Sequence, residues 1–289
     1  NLAALDTEEM INAQPMDAVV LTGGCDKTVP AQLMAAASAN VPAVSVVTGS
    51  MMTGSWRGQR LGACTDCRRF WAQYRAGEID AHEIEEIESS LCPTGGTCMV
   101  MGSAATIACV TEAMGLMVPG GATPPSVSAD RLRIAVASGR QAVQLARKPI
   151  VPGDLLTRPA FLNGLTVLAA LGGSTNTIIH LLAIARRASV PLTLDDFHDV
   201  AQRVPLLVDC KPAGVGYREE RHGAGGVRVG LKALEPRLET SVMTIGGQTL
   251  GELMGHVQPP ADWQTTIRTL DDPLGPTGAL AVVKGSLSP

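Results

Sequence analysis

The chain has 289 residues, 23 Lys and Arg against 27 Asp and Glu, and a formal net charge of −4. This mild acidity leaves no basic footprint for nucleic acid, no run reaches the ~18 apolar residues of a membrane span, and no secretory signal is visible. Hydrophobic residues at 45% supply a sizeable core and exclude a disordered chain, and the length fits one large or two modest domains at roughly 100–200 residues each.

Residues 1–12 read as a helix, and the text begins inside it at Asn1 rather than at Met. Residues 17–21 form a short strand-like run. The loop Thr22-Gly23-Gly24-Cys25-Asp26-Lys27 follows, then a helix over 29–39, with Pro30 near its start and alanines after it. Residues 43–47 read as a second strand. Strand, glycine loop, helix and strand make a βαβ unit, which implies a parallel sheet. Ligands of such sheets bind at the carboxyl ends of strands beside helix N-termini, the position of Cys25, Asp26 and Lys27.

A charged helix is expected over 81–91, and a long Ala- and Met-rich helix over 99–117, ended by Pro119-Gly120-Gly121. Between them lies the loop Cys92-Pro93-Thr94-Gly95-Gly96-Thr97-Cys98. An amphipathic helix capped by Ser128 is expected over 130–147, with further helices over 160–171, 175–187, 194–204 and 227–234. A short strand is expected at 205–209. After Gly246 the text turns to short strands and turns, and 278–284 reads as a strand close to Pro289. The expectation is α/β: a parallel sheet flanked by helices over 1–258, then a linker and the first strand of a β-rich C-terminal domain over 259–289. Both ends look cut, so a longer protein is expected.

Seven cysteines, at 25, 64, 67, 92, 98, 109 and 210, in a chain of this size point to a reducing, cytoplasmic setting and to metal or catalytic roles for some of them. The loops at Cys25 and Cys98 share one plan: small residues, a cysteine, then a helix start. Glycines let the backbone approach an anion, and a helix N-terminus favours thiolate, the metal-ligating state. Two such thiolates could hold part of an iron–sulfur cluster, but on the pattern alone tight turns with incidental cysteines are the preferred explanation. Asp26 could bind a hard divalent cation. Lys27 would repel it as an ammonium, forming a salt bridge instead, and would join it as a carbamate. Cys109 reads as a buried core thiol, Cys210 as a semi-buried one and Cys64-Thr65-Asp66-Cys67 as a structural feature. His180 reads as a satisfied core histidine, and Ser174-Thr175-Asn176 as a helix cap. No G-x-x-x-x-G-K-[ST] of a nucleotide-binding module is present.

Cys25-Asp26-Lys27-Thr28-Val29-Pro30 resembles the Cys-Asp-Lys motif of the dihydroxy-acid and sugar-acid dehydratase family. Asn40-Val41-Pro42, Gly95-Gly96-Thr97-Cys98, Gly172-Gly173-Ser174-Thr175-Asn176 with His180, Lys211-Pro212-Ala213-Gly214 and His222-Gly223-Ala224-Gly225-Gly226 match it in order. Met52 to Gly58, Gly62 to Trp71, and Pro119 through Asp130 look most like the sugar-acid, arabinonate- and xylonate-type branch.

The resemblance implies iron–sulfur ligands at Cys25 and Cys98, in that branch a [2Fe–2S] cluster, and Mg²⁺ on Asp26 and a carbamylated Lys27. It implies elimination of water from a small-molecule 2,3-dihydroxy sugar acid, in a homo-oligomer (dimer or tetramer) with neither nucleic acid nor membrane as partner. Thr97 and His222 are candidates for lining the site. The family's third cluster cysteine, a further acidic metal ligand and its serine base have no counterpart on this sequence. Two other readings stand beside this one: a dihydroxy-acid dehydratase of branched-chain amino-acid biosynthesis, and a catalytically incomplete piece that acts only in binding or assembly.

Overall fold

The computed structural model describes residues 1–287, with the side chain of Cys64 outside the described set. The chain opens with α1 (Leu2–Asn12), which packs on α2 (Thr28–Ala39). Around α2 run β1 (Val19–Gly23) and β2 (Ala43–Val47), paired in parallel from Val19↔Ala43 to Gly23↔Val47. β2 is buried along its whole length, as a strand covered on both faces must be. Asn40 ends α2 in the left-handed conformation that Asn tolerates.

A hairpin, β3 (Gly54–Trp56) and β4 (Gln59–Leu61), leads into α3 (Ala63–Arg75) and α4 (Ala81–Ser90). Its two turn residues, Arg57 and Gly58, have φ of 48° and 81°, the positive values that a two-residue primed turn demands. Asp80 opens α4 with a capping box. These elements bury a satellite core of Leu61, Phe70, Ile84, Ile87 and Leu91.

The main core forms around α5 (Ser103–Ala113), buried at every residue after Ser103. Next come α6 (Ala129–Arg147), which lies against the two parallel strands, the short α7 (Pro152–Leu155), α8 (Arg158–Leu171) on α5, and α9 (Asn176–Arg187) on α2. Then follow α10 (Leu194–Arg203), α11 (Arg218–Gly223), α12 (Gly226–Leu234) and α13 (Leu250–Met254). Ser128 caps α6, accepting from the Arg131 N–H as the sequence implied. Among the described residues no helix is long and apolar enough to cross a membrane.

The α/β expectation holds, with corrections. The helix expected over 99–117 shortens to Ser103–Ala113, because the preceding backbone is bonded elsewhere: Arg218 N–H donates to Met99 O and Met101 N–H to Lys211 O. The strand expected at 205–209 is two isolated antiparallel bridges, Leu206↔Gly275 and Val208↔Ile267. The strand expected at 278–284 does not form. Val283 is 90% exposed, and a strand pattern with no paired neighbour has nothing to satisfy its backbone. Residues 266–278 instead fold back onto the domain, with Asp209 N–H donating to Thr266 O and Gly278 N–H to Ala201 O.

Candidate active site

A cleft of about 660 Å³ opens at the carboxyl ends of β1 and β2, where open α/β sheets bind ligands. Thr22, Gly24 and Cys25 line it from β1, and Val46, Val47 and Thr48 from β2. The opposite wall is Gly95, Gly96 and Thr97, with Ser126 and Arg131 beyond. The wall loop is joined to the sheet edge: Thr97 N–H donates to Gly49 O, Met51 N–H to Thr97 O, and Ser126 N–H to Ser50 O. The two cysteine loops that the sequence singled out therefore face one space. Cys25 is exposed and Cys98, next to Thr97, is half-buried.

Asp26 and Lys27 follow Cys25 ahead of α2. Lys27 Nζ lies 2.9 Å from Asp26 Oδ2. Burial pushes the Asp26 carboxyl up, but the Lys27 ammonium, the Ser103 hydroxyl and His180 together hold it below its usual range. Asp26 Oδ1 is buried without a hydrogen-bond partner, as is His180 Nε2, and the two atoms are 3.9 Å apart. The expectation of a satisfied core histidine is thus corrected. Burial first, then the Lys27 charge, depress the His180 pKa.

The capping expectation for Ser174 to Asn176 holds in part. Ser174 Oγ accepts from the Asn176 N–H at 3.3 Å. It also lies 3.0 Å from Ser103 Oγ, to which Asn176 Nδ2 donates at 2.9 Å. The motif on α9 is tied to the start of α5, beside Asp26.

Behind the cleft sit buried guanidinium groups whose acceptors are mostly neutral. Arg131 donates to Gly121 O and Pro124 O. Arg218 donates to Thr97 Oγ1, Cys98 O and Ala122 O. Burial, then the Arg218 charge, lower the Arg131 pKa to about 10. Such a floor favours anionic groups in the cleft. Arg221 donates to Cys109 Sγ at 2.8 Å, so Cys109 is the buried thiol expected. Cys210 is fully rather than partly buried, and burial pushes its thiol up to about 11. Thr97 lines the cleft. His222 does not: its ring nitrogens meet Thr123 Oγ1 at 3.3 Å and Asp130 Oδ2 at 3.2 Å.

Asp66 carries a network that sequence reading missed. It is 4% exposed and accepts from Gly62 N–H, Tyr217 OH and Lys211 Nζ at 2.7, 2.8 and 3.1 Å. Burial raises its pKa, and these donors more than reverse that. Through Tyr217 the network fixes Arg218, and with it the Cys98 loop. Removing one partner of such a group strands the others, so Asp66→Ala is expected to cost about 3 kcal/mol, read as a fall in the urea midpoint. A midpoint equal to wild type would dismiss this role.

These donors suit an iron–sulfur cluster and a hard cation in kind: the Cys25 thiol in the cleft, Cys98 next to the cleft residue Thr97, and a carboxylate with a bare buried oxygen. Among the described residues no three His, Cys, Asp or Glu side chains gather in a metal-holding group.

The profile of the family described as dihydroxy-acid/6-phosphogluconate dehydratase N-terminal matches residues 1–253. A dihydroxy-acid dehydratase of Chloroflexus aggregans is 41% identical over 285 residues, 97% of this chain and 50% of the relative. A 6-deoxy-6-sulfo-D-gluconate dehydratase of Pseudomonas putida is 37% identical over 292 residues, 100% of this chain and 50% of the relative. The chain spans about half the length of the curated relatives it matches.

Proposed function

The chain belongs to the dihydroxy-acid/6-phosphogluconate dehydratase family, and from that membership we propose that the protein is a hydro-lyase acting on a 2,3-dihydroxy sugar acid. The observation that carries this reading is the meeting of the Cys25-Asp26-Lys27 and Gly95–Cys98 loops at one cleft. The reaction removes the C2 proton and the C3 hydroxyl as one water. The resulting enol becomes a 2-keto-3-deoxy acid, with no net oxidation and no second substrate.

In this reading Cys25 and Cys98 hold iron of a [2Fe–2S] cluster, and Asp26 with a carbamylated Lys27 holds Mg²⁺. When bound, these groups supply Lewis acidity for a poorly acidic C–H and a poor leaving group. The chain's own residues do the rest. The Gly95–Thr97 wall and the β1 and β2 ends shape a small polar space, and the buried arginines favour the acid's negative charge. Exposed Leu132, Val136 and Val143 on α6 give an apolar face consistent with a homo-oligomer.

The reading is tested by offering arabinonate, xylonate and 2,3-dihydroxyisovalerate to the full-length, metal-loaded protein and measuring 2-keto acid formed. Turnover of the sugar acids is expected, and no product from any of the three defeats it. Turnover of 2,3-dihydroxyisovalerate alone selects the second reading, a dihydroxy-acid dehydratase, which the Chloroflexus relative favours.

A further inference from the structure

The Gly172–Asn176 motif and His180 have no part in the chemistry above, yet the fold brings them against Asp26. Asp26 Oδ1 and His180 Nε2 are both buried, both lack a hydrogen-bond partner, and face each other across 3.9 Å. Unpaired buried polar atoms are rare enough to need a reason, and two that are complementary and a small rotation from a ~3 Å bond suggest one. The ground beneath them is fixed: Ser103, Ser174 and Asn176 bond one another across the starts of α5 and α9, and Ser103 lies beside Asp26.

We propose that His180 is a positioning residue for Asp26, donating from Nε2 to Oδ1 so that Oδ2 is aimed at a divalent cation. This rests on Asp26 being a cation ligand, as in the reading above. Oδ2 is the oxygen now bonded to Lys27 Nζ at 2.9 Å, and it comes free when CO2 has converted that amine to the carbamate of the reading above. Oδ1 then needs a donor to hold the carboxylate plane, and His180 Nε2 is the one aimed at it. A ligating carboxylate is commonly oriented by such an outer hydrogen bond, and losing it costs roughly 10–100-fold in metal affinity.

The test is Mg²⁺ affinity of the full-length protein, measured by titrating Mg²⁺ alone into metal-stripped, cluster-loaded enzyme, with iron content assayed beside it. His180→Leu is expected to weaken Mg²⁺ binding by roughly 10–100-fold with iron content unchanged. His180→Gln, whose side-chain amide can donate from a similar place, is expected to recover most of the loss. Ser103→Ala is expected to weaken binding by a smaller factor.

Wild-type affinity in His180→Leu overturns the proposal while leaving the dehydratase reading intact. If His180→Leu does not fold, His180→Gln and Ser103→Ala decide: affinity lost in Ser103→Ala and kept in His180→Gln supports the positioning role, and wild-type affinity in Ser103→Ala overturns it. A wild-type protein that holds iron but binds no Mg²⁺ removes the cation from the reading and the proposal with it.

Discussion

Cys25→Ser and Cys98→Ser, each made in the full-length protein, are expected to abolish iron–sulfur absorbance while leaving thermal stability close to wild type. Serine keeps the shape of cysteine, but its hydroxyl does not ionise near neutral pH and is a poor ligand for iron. Cys25 is exposed, and Cys98 is half-buried at the edge of the Met99, Val100 and Tyr217 cluster, and a near-isosteric change outside a fully buried site costs little. The pattern is diagnostic against Cys109→Ser. That thiol is 0% exposed and accepts from Arg221, so its loss is expected to lower the melting temperature and spare the absorbance. Full absorbance in either cleft variant would remove that cysteine from the cluster.

Gly96→Ala is the second large effect. Gly96 has φ of 133°, where side chains other than glycine are strained. A Cβ there would lie 2.4 Å from Met51 N and 2.6 Å from Ser50 C. Both are backbone atoms beside the Ser50↔Thr97 bridge, so neither can move without breaking the cleft wall. A cost of about 3 kcal/mol is expected, with loss of bound iron, read as a lower urea midpoint and lower absorbance. Gly95→Ala is the control, because an added Cβ there meets nothing within 4 Å. Equal midpoints for the two variants would sink the argument from backbone geometry.

What the sequence made legible is local. β1, α2 and β2 announce themselves through a glycine loop between a strand-like run and an alanine-rich helix, and β2 has the predicted bounds. The Cys25 and Gly95–Cys98 loops were visible as motifs, and the place of Cys25 followed from where strands end in a parallel sheet, whereas the Gly95–Cys98 loop reaches the same cleft through contacts with residues 49–51. What stayed hidden depends on contacts between distant residues. The hairpin over Gly54–Leu61 turns at Arg57, whose positive φ a non-glycine residue does not advertise. Asp66 and Lys211 are 145 positions apart, and no periodicity links them. The start of α5 moved from 99 to Ser103 because residues from another loop take its first backbone groups. His180 looked like core because its neighbours on α9 are apolar, whereas the carboxylate it faces, Asp26, lies on the loop before α2.

The division into a main and a satellite core has a spectroscopic consequence. Trp56 and Trp71 both pack in the satellite core, edge-on to Phe70 and Tyr74, while Trp263 is 75% exposed. The main core contains Phe161 and Phe197 instead, which barely emit. Intrinsic tryptophan fluorescence of this chain is therefore a witness to the hairpin, α3 and α4, and is nearly blind to the helices around α5. An emission-monitored melt that precedes one followed by circular dichroism would mark early loss of the satellite, not of the cleft.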